Sequence, residues 1–332
     1  LLVPALLLAL ALPAGAAPPT SAPSKGPTSA ASKPATTRQT SQPVAASTGL
    51  VFPDFRHRAT GNIGRALRWD PNWPKFSGWQ WLTTGVFGAA ALTFAILGPL
   101  ADARIGGVGP DEDVRDALVA SSLGSRRDAR DVSDVLLTTI SSYPLIDAIL
   151  IAGWYRRSPE VATQMALIDM EVFAITIGLT SIAKSIGSRR RPYGRVCGVS
   201  RPPSTRDCDS NDLDYSFFSG HSATAFAAAS VNCAHHIWLG LYGAPWRDAL
   251  SCVAGFTVAS ATGVLRIVGD KHYFSDVMVG AAVGTLVGFG VPWLFHYRHG
   301  SKGKRREGSV KKSAFSMQLA PMGLGVGALG TF

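Results

Sequence analysis

Apolar stretches of nearly membrane-spanning length recur along the chain between residues 78 and 296. A helix needs ~20 consecutive, mostly apolar residues to cross a bilayer, and each stretch is close to that length. The first and last are the most apolar, because residues 78–101 and 277–295 contain no charged side chain. We therefore predict an all-α fold, a six-helix bundle embedded in a membrane. The six segments lie at residues 78–100, 132–154, 165–187, 221–241, 249–268 and 273–296.

The middle segments carry ionisable side chains. Asp134 and Asp147 lie in the second segment, and Asp169 and Glu171 lie in the third. Such groups are costly at membrane depth and usually face a bundle interior or a polar cavity. We expect Asp169 and Glu171 either to neutralise, from within the bundle, the cations of the polar clusters at the helix ends or to face solvent. A soluble bundle with unusually apolar helices is the alternative architecture.

The flanks of the helical region differ from it in composition. Residues 1–17 are apolar and end in small residues, as a secretory signal peptide or an N-terminal hydrophobic segment does. Residues 18–50 are rich in Pro, Ser, Thr and Ala and lack large apolar groups, so we predict a disordered linker. Residues 51–297 are the predicted helical domain. Residues 298–332 are a basic and Gly-rich tail, in which 314–332 predict a short hairpin.

The chain has a formal net charge of +10, and much of it lies in the tail. Residues 298–312 hold seven Lys or Arg and one Glu beside an apolar segment, which favours anionic lipid headgroups over nucleic acid as a partner. Because Lys and Arg collect on the cytoplasmic side of membrane helices, both termini are placed inside and the loop between the third and fourth segments outside. A cleaved signal peptide followed by six spans predicts the opposite orientation, and the two predictions conflict.

Four cysteines occur, and no two have the C-x-x-C spacing of a structural zinc site or a redox motif. Cys197 and Cys208 bracket the loop between the third and fourth segments. A disulfide between them is expected if that loop lies outside, in an oxidising compartment. The other two cysteines lie within the fourth and fifth segments and are expected to be buried thiols. We assign no metal to His235 and His236, which are expected at a polar helix end or in an interhelical contact.

Three polar clusters occur where apolar segments end. Lys184 lies on the last turn of the third segment and Arg191 just beyond it, so a point charge and a planar guanidinium fork can converge on one tetrahedral anion. Ser219 and Gly220 begin the fourth segment, where a hydroxyl and unpaired backbone N–H groups face an anion. His221 follows and titrates near neutral pH, as a proton donor to a leaving oxygen must. Taken alone, the basic run is more typical of a solvated helix cap or a cytoplasmic anchor, and Ser-Gly-His is often an N-cap and a turn.

The third cluster contains Arg266, His272 and Asp276. His272 and Asp276 are spaced i to i+4 at the start of the sixth segment, so they share one helical face. Asp276 can then hold one imidazole nitrogen while the other stays free as a nucleophile. A structural His–Asp pair on the surface is the alternative interpretation.

The order Lys-x6-Arg-Pro, Ser-Gly-His and Arg-x5-His-x3-Asp resembles the signature of the type 2 phosphatidic acid phosphatase superfamily, over residues 78–297. That family includes membrane lipid phosphatases, periplasmic acid phosphatases and vanadium haloperoxidases. The resemblance implies that His272 attacks phosphorus, Asp276 orients His272, and His221 protonates the leaving oxygen, with no metal or other cofactor. It also implies that the phosphoryl oxygens are bound by Lys184, Arg191, Arg266, Ser219 and the Gly220 N–H.

Two positions depart from the family pattern. Phe218 stands where a Pro usually precedes Ser-Gly-His, and Leu265 stands where a Ser often precedes the third-cluster Arg. Phe217 and Phe218 are expected either to line an entrance suited to a lipid tail or to pack at the helix start. Both departures bear on efficiency or specificity more than on reaction class.

The resulting prediction is a phosphatase that hydrolyses a phosphomonoester or pyrophosphate, with a lipid phosphate as substrate, through a phosphohistidine intermediate. Its expected location is the membrane of a bacterial cell envelope with an extracytoplasmic active site, and a soluble periplasmic protein is the alternative. Two other functions are compatible with the sequence. One is a vanadate-dependent haloperoxidase with His272 as the vanadate ligand, and the other is a non-catalytic membrane lipid-binding protein.

Overall fold

The computed structural model describes residues 66–197, residue 208, residues 212–299, and the backbone of residues 316–322 and 325–331. The predicted N-terminal segment and linker lie outside these residues. All described residues belong to one compact unit, Phe52–Phe332. They contain seven α-helices: α1 Gly78–Leu97, α2 Asp111–Leu118, α3 Leu123–Ile146, α4 Pro159–Gly187, α5 Gly220–Leu239, α6 Pro245–Val268 and α7 Phe274–Phe295.

The predicted helical architecture is confirmed, and each of the six apolar segments coincides with one helix. The second segment is α3 continued by a π-helical stretch over Asp147–Tyr155. The apolar pattern does not predict α2, because this helix is short and polar and begins with three consecutive acidic residues. The C-terminal hairpin is present as two antiparallel strands, β1 Ser316–Met322 and β2 Gly325–Thr331.

Five of the described helical segments are long and apolar enough to cross a membrane. Their outward side chains are apolar as well: Leu92, Ile96 and Leu286 are 69%, 83% and 72% exposed. Continuous apolar surface of this kind is typical of contact with lipid. The bundle is therefore that of a membrane protein. The five segments are Gly78–Leu97, Leu123–Tyr155, Pro159–Gly187, Pro245–Val268 and Phe274–His299.

The remaining long helix, α5, lies at the centre of the bundle and packs against α3, α4, α6 and α7. Its contact with α7 is very close because both facing surfaces carry small side chains. Gly280, Gly284 and Gly288 line the α7 side, and a Cβ atom on Gly284 would lie 2.1 Å from the carbonyl oxygen of Ala223. Small residues let helix backbones approach in this way inside membranes. The contact holds the N-terminal ends of α5 and α7 side by side.

Buried His–carboxylate contacts join helices at the opposite end of α5. The two ring nitrogens of His236 lie 2.7 Å from Asp248 and 3.0 Å from Asp147. His235 Nε2 lies 3.1 Å from Asp169. Both histidines are thus in interhelical contacts, which is one of the two expected placements.

The acidic residues of α4 are also paired within the bundle. Asp169 pairs with His235, and Glu171 accepts a hydrogen bond of 2.7 Å from the Thr83 hydroxyl of α1. These partners lie away from the end of α4 that carries Lys184. The expectation of solvent exposure is therefore wrong, because both carboxylates are buried. Their partners inside the bundle are His235 and Thr83 and not the cations of the polar clusters.

Two disulfides link the cysteines. Cys197–Cys208 is present as predicted. Cys233 of α5 and Cys252 of α6 form the second one, so the expectation of buried thiols is correct in burial and wrong in oxidation state. The two Cα atoms are 4.7 Å apart because consecutive helices pack against each other at these positions.

The close contact between α5 and α7 generates a prediction for two glycines of α7. Gly284→Ala should lower the melting temperature of the detergent-solubilised protein, because overpacking typically costs about 1–3 kcal/mol. Gly290→Ala is the matched control, since a Cβ atom there meets nothing within 4 Å. It should leave the melting temperature unchanged or raise it, because Ala favours a helix over Gly by ~1 kcal/mol. Equal effects of the two substitutions in thermal unfolding would contradict the packing described.

Candidate active site

The residues of the three polar clusters meet at one end of the bundle. The C-terminal ends of α4 and α6 lie there, with Lys184 and Arg266 in their last turns. The N-terminal ends of α5 and α7 lie there too, with Ser219 as the α5 N-cap and Asp276 in the first turn of α7. The helix dipoles of α5 and α7 add positive potential to that of the cationic side chains.

His272 lies between α6 and α7 and is 1% exposed. Its Nε2 atom is 3.2 Å from Arg191 Nη1. Burial and the charges of Arg191, Arg266 and Lys184 hold the pKa of His272 well below its usual 6.5, so the ring is neutral at physiological pH. Because a guanidinium can only donate, Nε2 carries the lone pair and Nδ1 carries the proton. A neutral imidazole with its lone pair directed toward cations is suited to attack an electrophile held by them.

Asp276 lies on the other side of the His272 ring. Its Oδ2 atom is 3.7 Å from Nδ1, which is an ion-pair distance and longer than a hydrogen bond. The same oxygen accepts hydrogen bonds from the Ser216 hydroxyl and from the backbone N–H of Tyr273. Both members of the pair are buried, so the alternative of a surface His–Asp pair is wrong.

Arg189 is a buried residue of the site that the sequence analysis missed. Its guanidinium donates hydrogen bonds of 2.7 Å to Asp276 and to Asp111 of α2 and one of 2.8 Å to Ser275. It also lies 4.1 Å from the centroid of the Tyr273 ring. The clue in the sequence was the run of three arginines after α4, of which only Arg191 was assigned a role. Arg189 thus fixes Asp276 from the side away from His272.

Asp111 balances the charge of Arg189. Burial alone would raise the pKa of Asp111, but hydrogen bonds from Arg189 and from the backbone N–H groups of Val108 and Ser275 outweigh burial and lower the pKa. The carboxylate is therefore ionised at physiological pH. In this way α2, the helix without an apolar pattern, contributes Asp111 to the group of buried charges formed with Arg189 and Asp276.

Ser219 and Gly220 have local roles that differ in part from those implied by the resemblance. The Ser219 hydroxyl accepts a hydrogen bond from the Ser222 N–H and caps α5. Gly220 gives room to a neighbouring cation: a Cβ atom there would lie 3.4 Å from Lys184 Nζ and 3.2 Å from Thr180. The glycine thus lets the ammonium group approach the N-terminus of α5.

His221 faces the site from the first turn of α5. Its Nε2 atom is 2.7 Å from Asp134 of α3, and the same carboxylate oxygen is 2.8 Å from Arg266 Nη1. Asp134 was noted in the sequence as an ionisable residue in an apolar segment, but it was given no role. The structure brings it into contact with two of the predicted site residues.

A cavity of about 500 Å³ opens beside Lys184. One wall is apolar and comes from the end of α1, with Phe94, Ile96 and Pro99, and the other is polar, with Asp212 and Tyr215. Such a cavity accommodates a group with an apolar part next to a charged one.

The Phe217–Phe218 pair does not line this cavity. Phe218 is 5% exposed, and the two rings are in edge-to-face contact. Phe217 packs near Gly187 at the end of α4. Of the two expectations for this pair, packing at the start of α5 is therefore the one observed.

Residues 166–300 match the family model of the PAP2 superfamily. The matched segment makes up less than half of the chain. It contains every predicted site residue from Lys184 to Asp276, so the resemblance stated from the sequence is confirmed. The helices α1, α2 and α3 precede the matched segment and lie outside the family match.

Two individual proteins are similar to the chain. A lipid A 1-phosphatase from Porphyromonas gingivalis is 31% identical over 185 residues, which are 52% of this chain and 35% of the relative, so the chain spans little more than a third of that protein. The crystal structure of a transmembrane PAP2-type phosphatidylglycerolphosphate phosphatase from Bacillus subtilis aligns with 65% of this chain and 93% of its own, at 18% identity and a TM-score of 0.42.

The Arg189 network generates a prediction about stability. Arg189→Met should lower the free energy of unfolding by about 3–5 kcal/mol, because it leaves Asp111 and Asp276 buried without their cation. Arg190→Met is the matched control, since the Arg190–Asp214 pair is partly exposed and such pairs contribute about 0–1 kcal/mol. Thermal unfolding in detergent measures both. If the two variants unfold at the same temperature, Arg189 does not have the central structural role described.

Proposed function

We propose that the protein is a lipid phosphatase that forms a phosphohistidine on His272. The observation that carries the proposal is the buried, neutral His272 whose Nε2 lone pair is directed toward a group of cations. The membrane bundle around it and the PAP2 match over residues 166–300 support a phosphoric ester hydrolase.

The first step of the proposed reaction forms a bond between His272 Nε2 and phosphorus and breaks the bond from phosphorus to the leaving oxygen. Lys184, Arg191 and Arg266 stabilise the charge on the equatorial oxygens during this displacement. Asp276, at an ion-pair distance from Nδ1, stabilises the positive charge that develops on the ring. His221 gives its proton to the departing oxygen.

The second step releases phosphate. His221, now neutral, takes a proton from water, and the water oxygen attacks phosphorus as the bond to His272 Nε2 breaks. The enzyme returns to its starting protonation state, with inorganic phosphate as product. Dividing one difficult displacement into two steps lowers each barrier.

The cavity beside Lys184 supports a lipid as the substrate. Its apolar wall is the end of α1, where Ile96 is also 83% exposed toward the surrounding membrane. A phosphate bound by Lys184 would therefore have an apolar path for its attached chain. The name of the relative, lipid A 1-phosphatase, is consistent with this substrate class.

Exposed Trp residues, two arginines beside them and a disulfide support an active site outside the cytoplasm of a bacterial envelope. Trp79, Trp154 and Trp246 are 62%, 78% and 64% exposed at the end of the bundle opposite the active site. Trp residues at such positions mark a membrane–water interface, and Arg157 and Arg247 beside them favour the cytoplasmic side. The Cys197–Cys208 disulfide at the active-site end is compatible with an oxidising compartment.

The reaction is tested with His272→Ala in the full chain. The variant should lose phosphate release from lipid monophosphates and diphosphates, because no other group replaces the nucleophile. Rapid quenching of the wild-type protein with a labelled substrate should trap phosphate on His272, detected by mass spectrometry. Normal turnover by His272→Ala contradicts the proposal, as does halide oxidation by the wild-type protein with vanadate and peroxide.

The orientation is tested with epitope tags on intact cells. A tag inserted after Ser121, between α2 and α3, should be accessible from outside the inner membrane. A tag fused after residue 332 should be accessible only after the membrane is permeabilised. The reverse pattern would place the active site in the cytoplasm.

A further inference from the structure

Asp134 connects two residues of the phosphatase site. Its Oδ1 atom lies 2.7 Å from His221 Nε2 and 2.8 Å from Arg266 Nη1. His221 and Arg266 fall within the segment that matches the PAP2 superfamily, residues 166–300, whereas Asp134 precedes it. The contact therefore comes from a helix that the family match does not cover.

The backbone around Asp134 is fixed, although the side chain is 60% exposed. The hydroxyl of the preceding residue, Ser133, is buried and donates a hydrogen bond to the Thr262 carbonyl of α6. One turn earlier, Arg130 donates to the carbonyl of Gly269. These contacts hold the N-terminal half of α3 against the end of α6, so the position of the Asp134 carboxylate relative to Arg266 is set by the packing of the two helices.

His221 has an unfavourable environment for a proton donor. Burial and the charges of Arg266 and Lys184 lower its pKa to about 4, while Asp134 acts in the opposite direction. The charged and titratable groups that face it are Arg266 from α6, Lys184 from α4, His272 from the α6–α7 connection and Asp134 from α3. Of these four, only Asp134 is anionic.

We propose that Asp134 is a positioning residue for the general acid His221. Its carboxylate accepts a hydrogen bond from Nε2, which orients the ring and favours the imidazolium, and it leaves Nδ1 to pass the proton to the leaving oxygen. This proposal rests on the proposed function and adds to it a residue from α3.

The test compares leaving groups. Asp134→Asn should reduce kcat/KM for an alkyl phosphate about 100-fold, the lower range of a general acid contribution. With p-nitrophenyl phosphate, whose leaving group needs no proton, the change should be less than threefold. The alkaline limb of the pH profile should move to lower pH for the alkyl substrate, and Asp134→Glu should recover part of the rate.

Asp131→Asn is the matched control. It removes the same charge from an exposed position one turn earlier on α3. It should leave both substrates and both pH profiles unchanged. A loss of activity by Asp131→Asn equal to that of Asp134→Asn would indicate a general effect of charge and overturn the proposal.

Two results with Asp134→Asn would also overturn it. An equal loss with alkyl and aryl phosphates would mean that the residue supports the fold or the phosphate clamp rather than proton transfer. If vanadate inhibits Asp134→Asn more tightly and the dependence on the leaving group is unchanged, the carboxylate competes with phosphate for the same cations.

A second measurement does not depend on turnover. Diethyl pyrocarbonate modifies neutral imidazole, so its rate of reaction with His221, followed by mass spectrometry against pH, reports the protonation of that ring. The midpoint should fall by about one pH unit in Asp134→Asn, as expected for loss of a neighbouring opposite charge. If the midpoint shifts but the wild-type protein hydrolyses neither substrate, the proposed function is refuted while the Asp134–His221 contact is supported. An unshifted midpoint would refute the contact.

Discussion

Mutual repulsion among cations is the constraint on which the polar end of this bundle depends. Lys184, Arg191 and Arg266 are directed toward one small volume, and the N-terminal ends of two helices add to the positive potential. Like charges at this spacing are stable only if carboxylates lie close by. Asp134 and Asp276 supply such carboxylates from two different helices. This end of the bundle therefore favours an anion before any specific contact is made.

The polar segments outside the apolar pattern hold His272 in place. Asp270 precedes His272 by two residues and receives hydrogen bonds from Arg115 of α2 and Arg126 of α3. Burial would lower the pKa of Arg115, but the hydrogen bond to Asp270 outweighs it and raises the pKa, so the pair stays ionic. The short connection from α6 to α7 is thereby anchored on both flanks. The α2 helix is small, yet it contacts both ends of this connection through Arg115 and Asp111.

The sequence predicted the features that follow from local chemistry. Membrane-length apolar segments specify helices, and a family signature specifies which polar residues meet, so the positions of Lys184 and His272 at helix ends were expected. Features that depend on which helices become neighbours could not be predicted. The Cys233–Cys252 bond requires α5 and α6 to touch at one level, and the Asp134 contact requires α3 to pack beside α6. A single sequence does not show how close α5 lies to α6 or α3 to α6.

The first helix has a consequence for the medium in which the protein works. α1 packs chiefly against α4, and in its 20 residues only Gln80 is buried. Most of its circumference is therefore bounded by acyl chains, and the cavity wall that α1 provides is supported from behind by lipid instead of by protein. Bilayer thickness and lateral pressure thus become structural parameters of the bundle, and the outer wall of the cavity differs between a micelle and a membrane.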